Sequence, residues 1–172
     1  AGHGGDDSGA VGNGLLEKDV NLDVSNLLNE KLEKEGADTV VTRTGDSFLS
    51  LEERVAKAST NGSDLFISIH ANSAAPEAAG TETYFDATYK AADSERLAAD
   101  IQEHLPGALG TEDRGVKESG FYVIKHSQMP SALVELGFIT NKSDIRKKPP
   151  MRLPRLSFRI MINRQAPSIT GA

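Results

Sequence analysis

The sequence predicts an α/β domain, a twisted and mostly parallel β-sheet flanked by helices. Short apolar runs alternate with amphipathic stretches along the chain, the pattern of layered α/β architecture. Residues 65–69 (LFISI) form a nearly continuous apolar run, as expected of a strand covered on both faces. The length of 172 residues with 38% hydrophobic side chains suits one domain with its own core.

The elements follow in order. After a glycine-rich opening, AGHGGDDSGAVGNG, the residues Val20, Val24, Leu27, Leu28 and Leu32 recur at helical spacing, with Gly36 as the stop. Residues 39–42 (TVVT) read as a strand. Ser50 and Glu53 have the spacing of a capping box, opening a helix in which Leu51, Val55 and Ala58 share a face, and Asn61-Gly62 closes it. The strand 65–69 then delivers His70. Residues 81–85 predict another strand, and Leu97, Ile101 and Leu105 mark a helix ending near Pro106-Gly107. Residues 121–124 and 132–134 complete the strands, the last running into Glu135.

Composition excludes several function classes. The chain has 19 Lys+Arg against 25 Asp+Glu, a formal charge of −6, so it offers no concentrated basic face of the kind nucleic acids need. Without cysteine there are no disulfides, no thiol nucleophile and no thiolate-bound metal, and any metal must rest on His and carboxylates. No run of about 18 apolar residues predicts a membrane span. The charge is uneven: residues 1–143 carry 12 Lys+Arg and 24 Asp+Glu, whereas 144–172 carry seven and one. Four prolines, Pro149, Pro150, Pro154 and Pro167, interrupt this basic tail.

The chemistry concentrates where apolar strands end, since ligands of open α/β sheets bind beyond the carboxyl ends of the strands. His70 and Glu135 fall there. Glu17, three residues before Val20 and seven before Val24, places a carboxylate on the buried face of the first helix at its positive end, where it needs a partner. His3 lies in the glycine-rich loop just ahead. Two neutral imidazoles and one carboxylate suffice for a catalytic zinc with an open fourth position. From the residues alone, a satisfied core His70 and a helix-capping Glu17 compete with this reading. The glycine-rich opening lacks the Lys-Ser/Thr of a P-loop, and Asp6-Asp7 would repel a phosphate. Ser8, Ser68 and Ser73 sit in no nucleophile elbow, which argues against a serine hydrolase. His104 reads as a surface residue and His126 as a loop residue.

The ordered blocks GHGGDDSGA, Glu17 in LLEKDVNL, TRTGDSFLSLEERV, DLFISIHANS, GTETYF, DRGVK and MPSALVELGFITN resemble the zinc-dependent N-acetylmuramoyl-L-alanine amidases of bacterial cell walls, of the Amidase_3 type. The resemblance runs from residue 1 to about 144. It implies a phosphorylase/hydrolase-like α/β fold, with Zn2+ held by His3, Glu17 and His70 and with Glu135 as the catalytic carboxylate. The substrate implied is peptidoglycan, cut between N-acetylmuramic acid and the L-alanine of the stem peptide. Asn72 and Arg114, the latter in the DRGVK loop, are candidate substrate contacts. The setting implied is extracytoplasmic, secreted or in the wall or periplasm, with the protein a monomer and room for flanking wall-binding repeats in the full-length protein. Two alternatives stay open: a non-catalytic wall-binding module of the same fold, and a zinc peptidase acting on stem peptides.

Two departures from the family pattern accompany the resemblance. The hydrophobic strand that leads into the first histidine is expected to be missing ahead of Ala1, as in a fragment. Residues 145–172 form a separate tail in which residues 147–154 (KKPPMRLP) do not read as the family's closing helix, while Leu156, Phe158, Ile160 and Ile162 alternate as a strand would.

Overall fold

A computed structural model describes residues 1–146, with the backbone alone at Arg146. Residues 147–172, which hold the rest of the basic tail with the KKPPMRLP stretch and the alternation at Leu156, Phe158, Ile160 and Ile162, lie outside the described residues.

The elements run β1 (Val11–Gly12), β2 (Leu15–Leu16), α1 (Glu17–Lys34), α2 (Leu51–Thr60), β3 (Phe66–Asn72), β4 (Thr81–Phe85), α3 (Ala91–Leu109), β5 (Asp113–Glu118), α4 (Tyr122–His126), β6 (Ser131–Phe138) and α5 (Lys142–Arg146). The main sheet has the order β3-β6-β4-β5. β3 pairs β6 in parallel and β4 pairs β5 in parallel, as expected of a mostly parallel sheet, and the one antiparallel pairing, β4 with β6, makes it mixed.

Alternation along β6 sends neighbouring residues to opposite faces. Leu133 joins Ala58, Phe66, Val123, Ile124 and Met129 on one side, whereas Ala132 and Val134 join Leu97, Ala98 and Ile101 on the other. The capping box at Ser50 forms as expected, with Glu53 N–H donating to Ser50 Oγ at 3.2 Å and Ser50 N–H donating to Glu53 Oε2 at 2.7 Å. Gly36, at φ +87°, follows the end of α1 in the left-handed conformation that glycine adopts without strain.

Five local expectations change. Residues 39–42 form no strand: they run half-exposed without a ladder partner among the described residues. Residues 121–124 fall at the start of α4 rather than in a strand, because a four-residue apolar run does not distinguish the two periods and Tyr122 stacks on His126 one turn later at 4.2 Å. DRGVK belongs to strand β5 rather than to a loop. α3 continues past Pro106 to Leu109 and stops at Gly110, φ +70°. In α1 the buried residues are Glu17, Asn21 and Ser25, whereas Val20, Val24, Leu27, Leu28 and Leu32 line an apolar cavity of about 170 Å3 facing α3.

Candidate functional site

The glycine-rich loop is held from beneath by two buried arginines. Arg43 donates to the carbonyls of Gly2 (2.9 Å) and Lys18 (2.7 Å), and Arg54 donates to those of Ala1 and His3, the latter at 2.9 Å. Charge on buried guanidinium is thus spent on backbone oxygens of the loop, which fixes it where it would otherwise be free to move. His3 sits in this loop at φ +56°, a conformation uncommon outside glycine. Its Nδ1 lies 2.7 Å from Asp7 Oδ2, and Asp7 Oδ1 in turn accepts from Gly9 N–H at 3.0 Å.

Glu17 opens α1 and is 5% exposed. Its Oε2 accepts from Ala10 N–H at 2.8 Å; its Oε1 accepts from Ala71 N–H at 3.2 Å and lies 2.9 Å from His70 Nδ1 and 3.2 Å from His3 Nε2. Burial raises the Glu17 carboxyl, but these imidazoles and the Ala10 amide outweigh it and hold the group well below the usual carboxylate range. Burial lowers His70 and leaves it neutral against the pull of Glu17, while the hydrogen bond to Glu17 raises His3. One donor atom from each of His3, Glu17 and His70 lies within 4.8 Å of the other two.

These three residues fit a divalent metal. An ionised carboxylate and imidazoles converging on one point are the donor set of a catalytic zinc. The surrounding glycines are needed for the approach: a Cβ on Gly9 would come within 2.6 Å of Glu17 Oε2 and 2.7 Å of His3 Cδ2, and one on Gly2 would overlap the His70 ring.

Glu135 stands beside this cluster, paired with His70 across the parallel β3–β6 ladder. Both residues lie inside their strands rather than just beyond them, so the sheet backbone fixes their spacing. Glu135 Oε2 is buried without a hydrogen-bond partner. Burial, then the charges of Glu17 and Glu82, push its carboxyl up to about 8.

Asn72 and Arg114 come together on a residue the sequence reading missed. Glu82, 2% exposed, pairs with Glu135 across β4–β6. Its Oε1 accepts from Tyr84 OH (2.6 Å) and Asn72 Nδ2 (2.8 Å), and its Oε2 from Arg114 Nε (2.6 Å) and Lys117 Nζ (2.5 Å). Burial raises this carboxyl too, but Lys117, Tyr84 and Arg114 bring it down to about 2. The alternation of TETYF puts Glu82 and Tyr84 on one face, but the cations that meet Glu82 come from Asp113–Glu118, a polar stretch with no strand signal in the sequence. Asp7, read as a repellent for anions, was missed as the partner of His3. His104 is exposed, as expected, and bonds the carbonyl of Asp100 one turn back. His126, read as a loop residue, is the last residue of α4.

Comparison with known proteins gives a consistent picture. Residues 1–148 match the family model of Amidase_3, described as N-acetylmuramoyl-L-alanine amidase. The chain is 64% identical over 147 residues to the uncharacterized protein YqiI of Bacillus subtilis (strain 168), covering 86% of this chain and 71% of that protein. It is 58% identical over 149 residues to the N-acetylmuramoyl-L-alanine amidase LytC of the same organism, covering 85% of this chain but 30% of LytC. Among solved structures, the catalytic domain of the amidase CwlV from Bacillus (Paenibacillus) polymyxa superposes with a TM-score of 0.79 at 35% identity, covering 85% of this chain and 82% of that one. The amidase AmiC2 of Nostoc punctiforme superposes with a TM-score of 0.78 at 39% identity, over 84% and 80% of the two chains. With 148 of 172 residues inside the family model and the same fold in its solved relatives, this chain belongs to the N-acetylmuramoyl-L-alanine amidase family, Amidase_3.

Proposed function

We propose that the chain is a zinc-dependent peptidoglycan hydrolase that cuts the amide between the lactyl group of N-acetylmuramic acid and the L-alanine nitrogen of the stem peptide. The observation that carries this reading is the convergence of His3, Glu17 and His70 on one point beside a buried carboxylate oxygen with no partner. Family membership supports the bond class, and the wall amidases among its relatives support action outside the cytoplasm.

His3, Glu17 and His70 would hold the metal, with Asp7 fixing the His3 ring through Nδ1, as carboxylates behind metal-bound histidines commonly do. When bound, zinc supplies Lewis acidity toward the lactyl carbonyl and lowers the pKa of a water to about 7. The Glu135 carboxyl would be drawn back down from about 8 by the positive charge of a metal held by His3, Glu17 and His70, and the ionised group would then take the proton of the attacking water on its unpartnered Oε2 and return it to the departing nitrogen. Water adds across the amide, the C–N bond breaks, and the products are a lactyl carboxyl and a free L-alanine amine. An amide nitrogen leaves poorly unless protonated, which is why the carboxylate beside the metal is required. The Asn72 amide and the outward part of the Arg114 guanidinium, both held by Glu82, would contact the substrate. Residues 1–144 would form the catalytic unit and 145–172 a separate basic tail.

The test is product analysis. Zinc-loaded protein incubated with purified peptidoglycan should expose new L-alanine amino termini, and a chelator should abolish their release. New amino termini elsewhere in the stem would make the chain a peptidase, and sedimentation with the wall without any release would make it a binding module.

A further inference from the structure

Two glutamates occupy directly opposed positions, Glu82 on β4 and Glu135 on β6. Side chains at such positions share a sheet face with Cβ atoms about 5 Å apart, and like charges there are destabilising. The arrangement therefore needs a reason. Their surroundings are opposite: Glu82 collects four side-chain donors, while Glu135 Oε2 has none. The strand order places the two cations beyond Glu82. Arg114 and Lys117 are on β5, and β4 stands between β5 and β6.

The two cations are not equally anchored. Arg114 also donates from Nη1 to the Ala79 carbonyl at 3.3 Å and lies over the Phe138 ring at 5.0 Å. The Lys117 ammonium has Glu82 as its one side-chain acceptor among the described residues, and otherwise lies over the Tyr84 ring, 5.9 Å from the centroid. Two strand spacings, about 10 Å, separate β5 from β6, and extended Lys and Glu side chains together span that distance.

We propose that Glu82 is a positioning residue that keeps the Lys117 ammonium off Glu135, leaving the Glu135 carboxylate free to accept a proton from water. Without the Glu82 charge, Glu135, its direct cross-strand neighbour on the same face, comes within reach of Lys117, and an ammonium hydrogen-bonded to it occupies the lone pair that the reaction uses, whereas capture of Lys117 by the buried Asp86 carboxylate just past β4 would overturn the inference. The inference rests on the amidase reading for its consequence in turnover, but not for the ion pair itself.

The experiment pairs a variant with its suppressor. Glu82→Gln should fold, bind zinc with the wild-type stoichiometry and lose turnover by about 30-fold or more, and its crystal structure should show the Lys117 ammonium on Glu135. Adding Lys117→Met should restore at least about tenfold of that loss, while Lys117→Met alone should stay within about threefold of wild type. Removing an orphaned cation can also repair a merely structural defect, so that role is separated by the variant crystal, where it leaves the Lys117 ammonium clear of Glu135, and by the thermal midpoint, which it moves in step with turnover. If Glu82→Gln does not fold, Glu82→Asp keeps the charge but shortens the reach to Lys117, and the same rescue by Lys117→Met is the readout. A variant crystal in which Lys117 stays clear of Glu135, or a Glu82→Gln loss that Lys117→Met leaves untouched, overturns the inference. Failure of the amidase reading is seen separately, as wild-type protein that exposes no L-alanine amino termini.

Discussion

Glu82 and Glu135 face each other across one strand pair, and the sheet keeps them in opposite states. Glu82 is held ionised by a tyrosine, an asparagine, an arginine and a lysine; Glu135, with a buried and unpartnered oxygen, is pushed toward its protonated form. Both are penalised by burial, so depth alone does not set their chemistry. The partners do. Glu17, on the other side of His70, repeats the first case with two imidazoles and backbone amides in place of cations. In the proposed reading, a carboxylate that is held would serve as a ligand or an anchor, and the one left unheld would move the proton.

The comparison is broken most severely at the held carboxylate of the metal corner. His70→Ala or Glu17→Gln should weaken zinc binding by about 100-fold or more, read by competition with a chromogenic chelator, whereas Glu135→Gln should leave it unchanged. An unaltered affinity in His70→Ala would remove that residue from the ligand set. Asp7→Asn is expected to act in the same direction but less, about 10- to 100-fold in zinc affinity, with activity recovered at raised zinc. Recovery separates an orienting partner from a ligand.

Opposite pH dependences of stability sharpen the same contrast. Below its ordinary value of 4.5 and down to about 2, the Glu82 position binds a proton in the unfolded chain and not in the native one. Its stabilisation is therefore complete above 4.5 and lost as the pH falls toward about 2. Glu135 has the reverse sign: between 4.5 and about 8 the native state keeps a proton the unfolded chain has released, so stability declines as pH rises through that window. In protein stripped of metal, Glu82→Gln should flatten the acid limb of thermal midpoint against pH, and Glu135→Gln should flatten the alkaline decline and raise the midpoint at pH 8. Parallel slopes for the two variants would contradict the assignment of opposite states. The smallest expected effect lies away from the site: Ser50→Ala, which removes one half of the capping box of α2, should cost about 1 kcal/mol in denaturant unfolding with turnover unaffected.

What could be read in the sequence was whatever a local pattern encodes. The apolar run before His70, the apolar strand entering Glu135, the glycine-rich loop around His3 and the capped start of α2 each carry their signal within a few residues, and the family resemblance joined them. What could not be read depends on partners distant in sequence. Asp113–Glu118 is polar because β5 lies at the end of the strand order, with much of its surface open, so its strand character is invisible to hydrophobic periodicity. Glu82 looks solvent-facing in the alternation of TETYF, yet it is buried among Asn72, Tyr84, Arg114 and Lys117, three of them from other strands. Asp7 reads, with Asp6, as a repellent for anions, whereas in the fold it is bridged to Gly4 and its carboxylate meets His3. Short apolar runs at 39–42 and 121–124 were ambiguous for another reason, being too brief to distinguish a period of two from one of 3.6.

The most direct test of Glu135 as the proton carrier is turnover of zinc-loaded Glu135→Gln on purified peptidoglycan, scored by new L-alanine amino termini alongside zinc content. The expected result is one zinc per chain, as in wild type, with the rate lowered by about 10²- to 10⁴-fold. Full zinc with a rate within about twofold of wild type would contradict it.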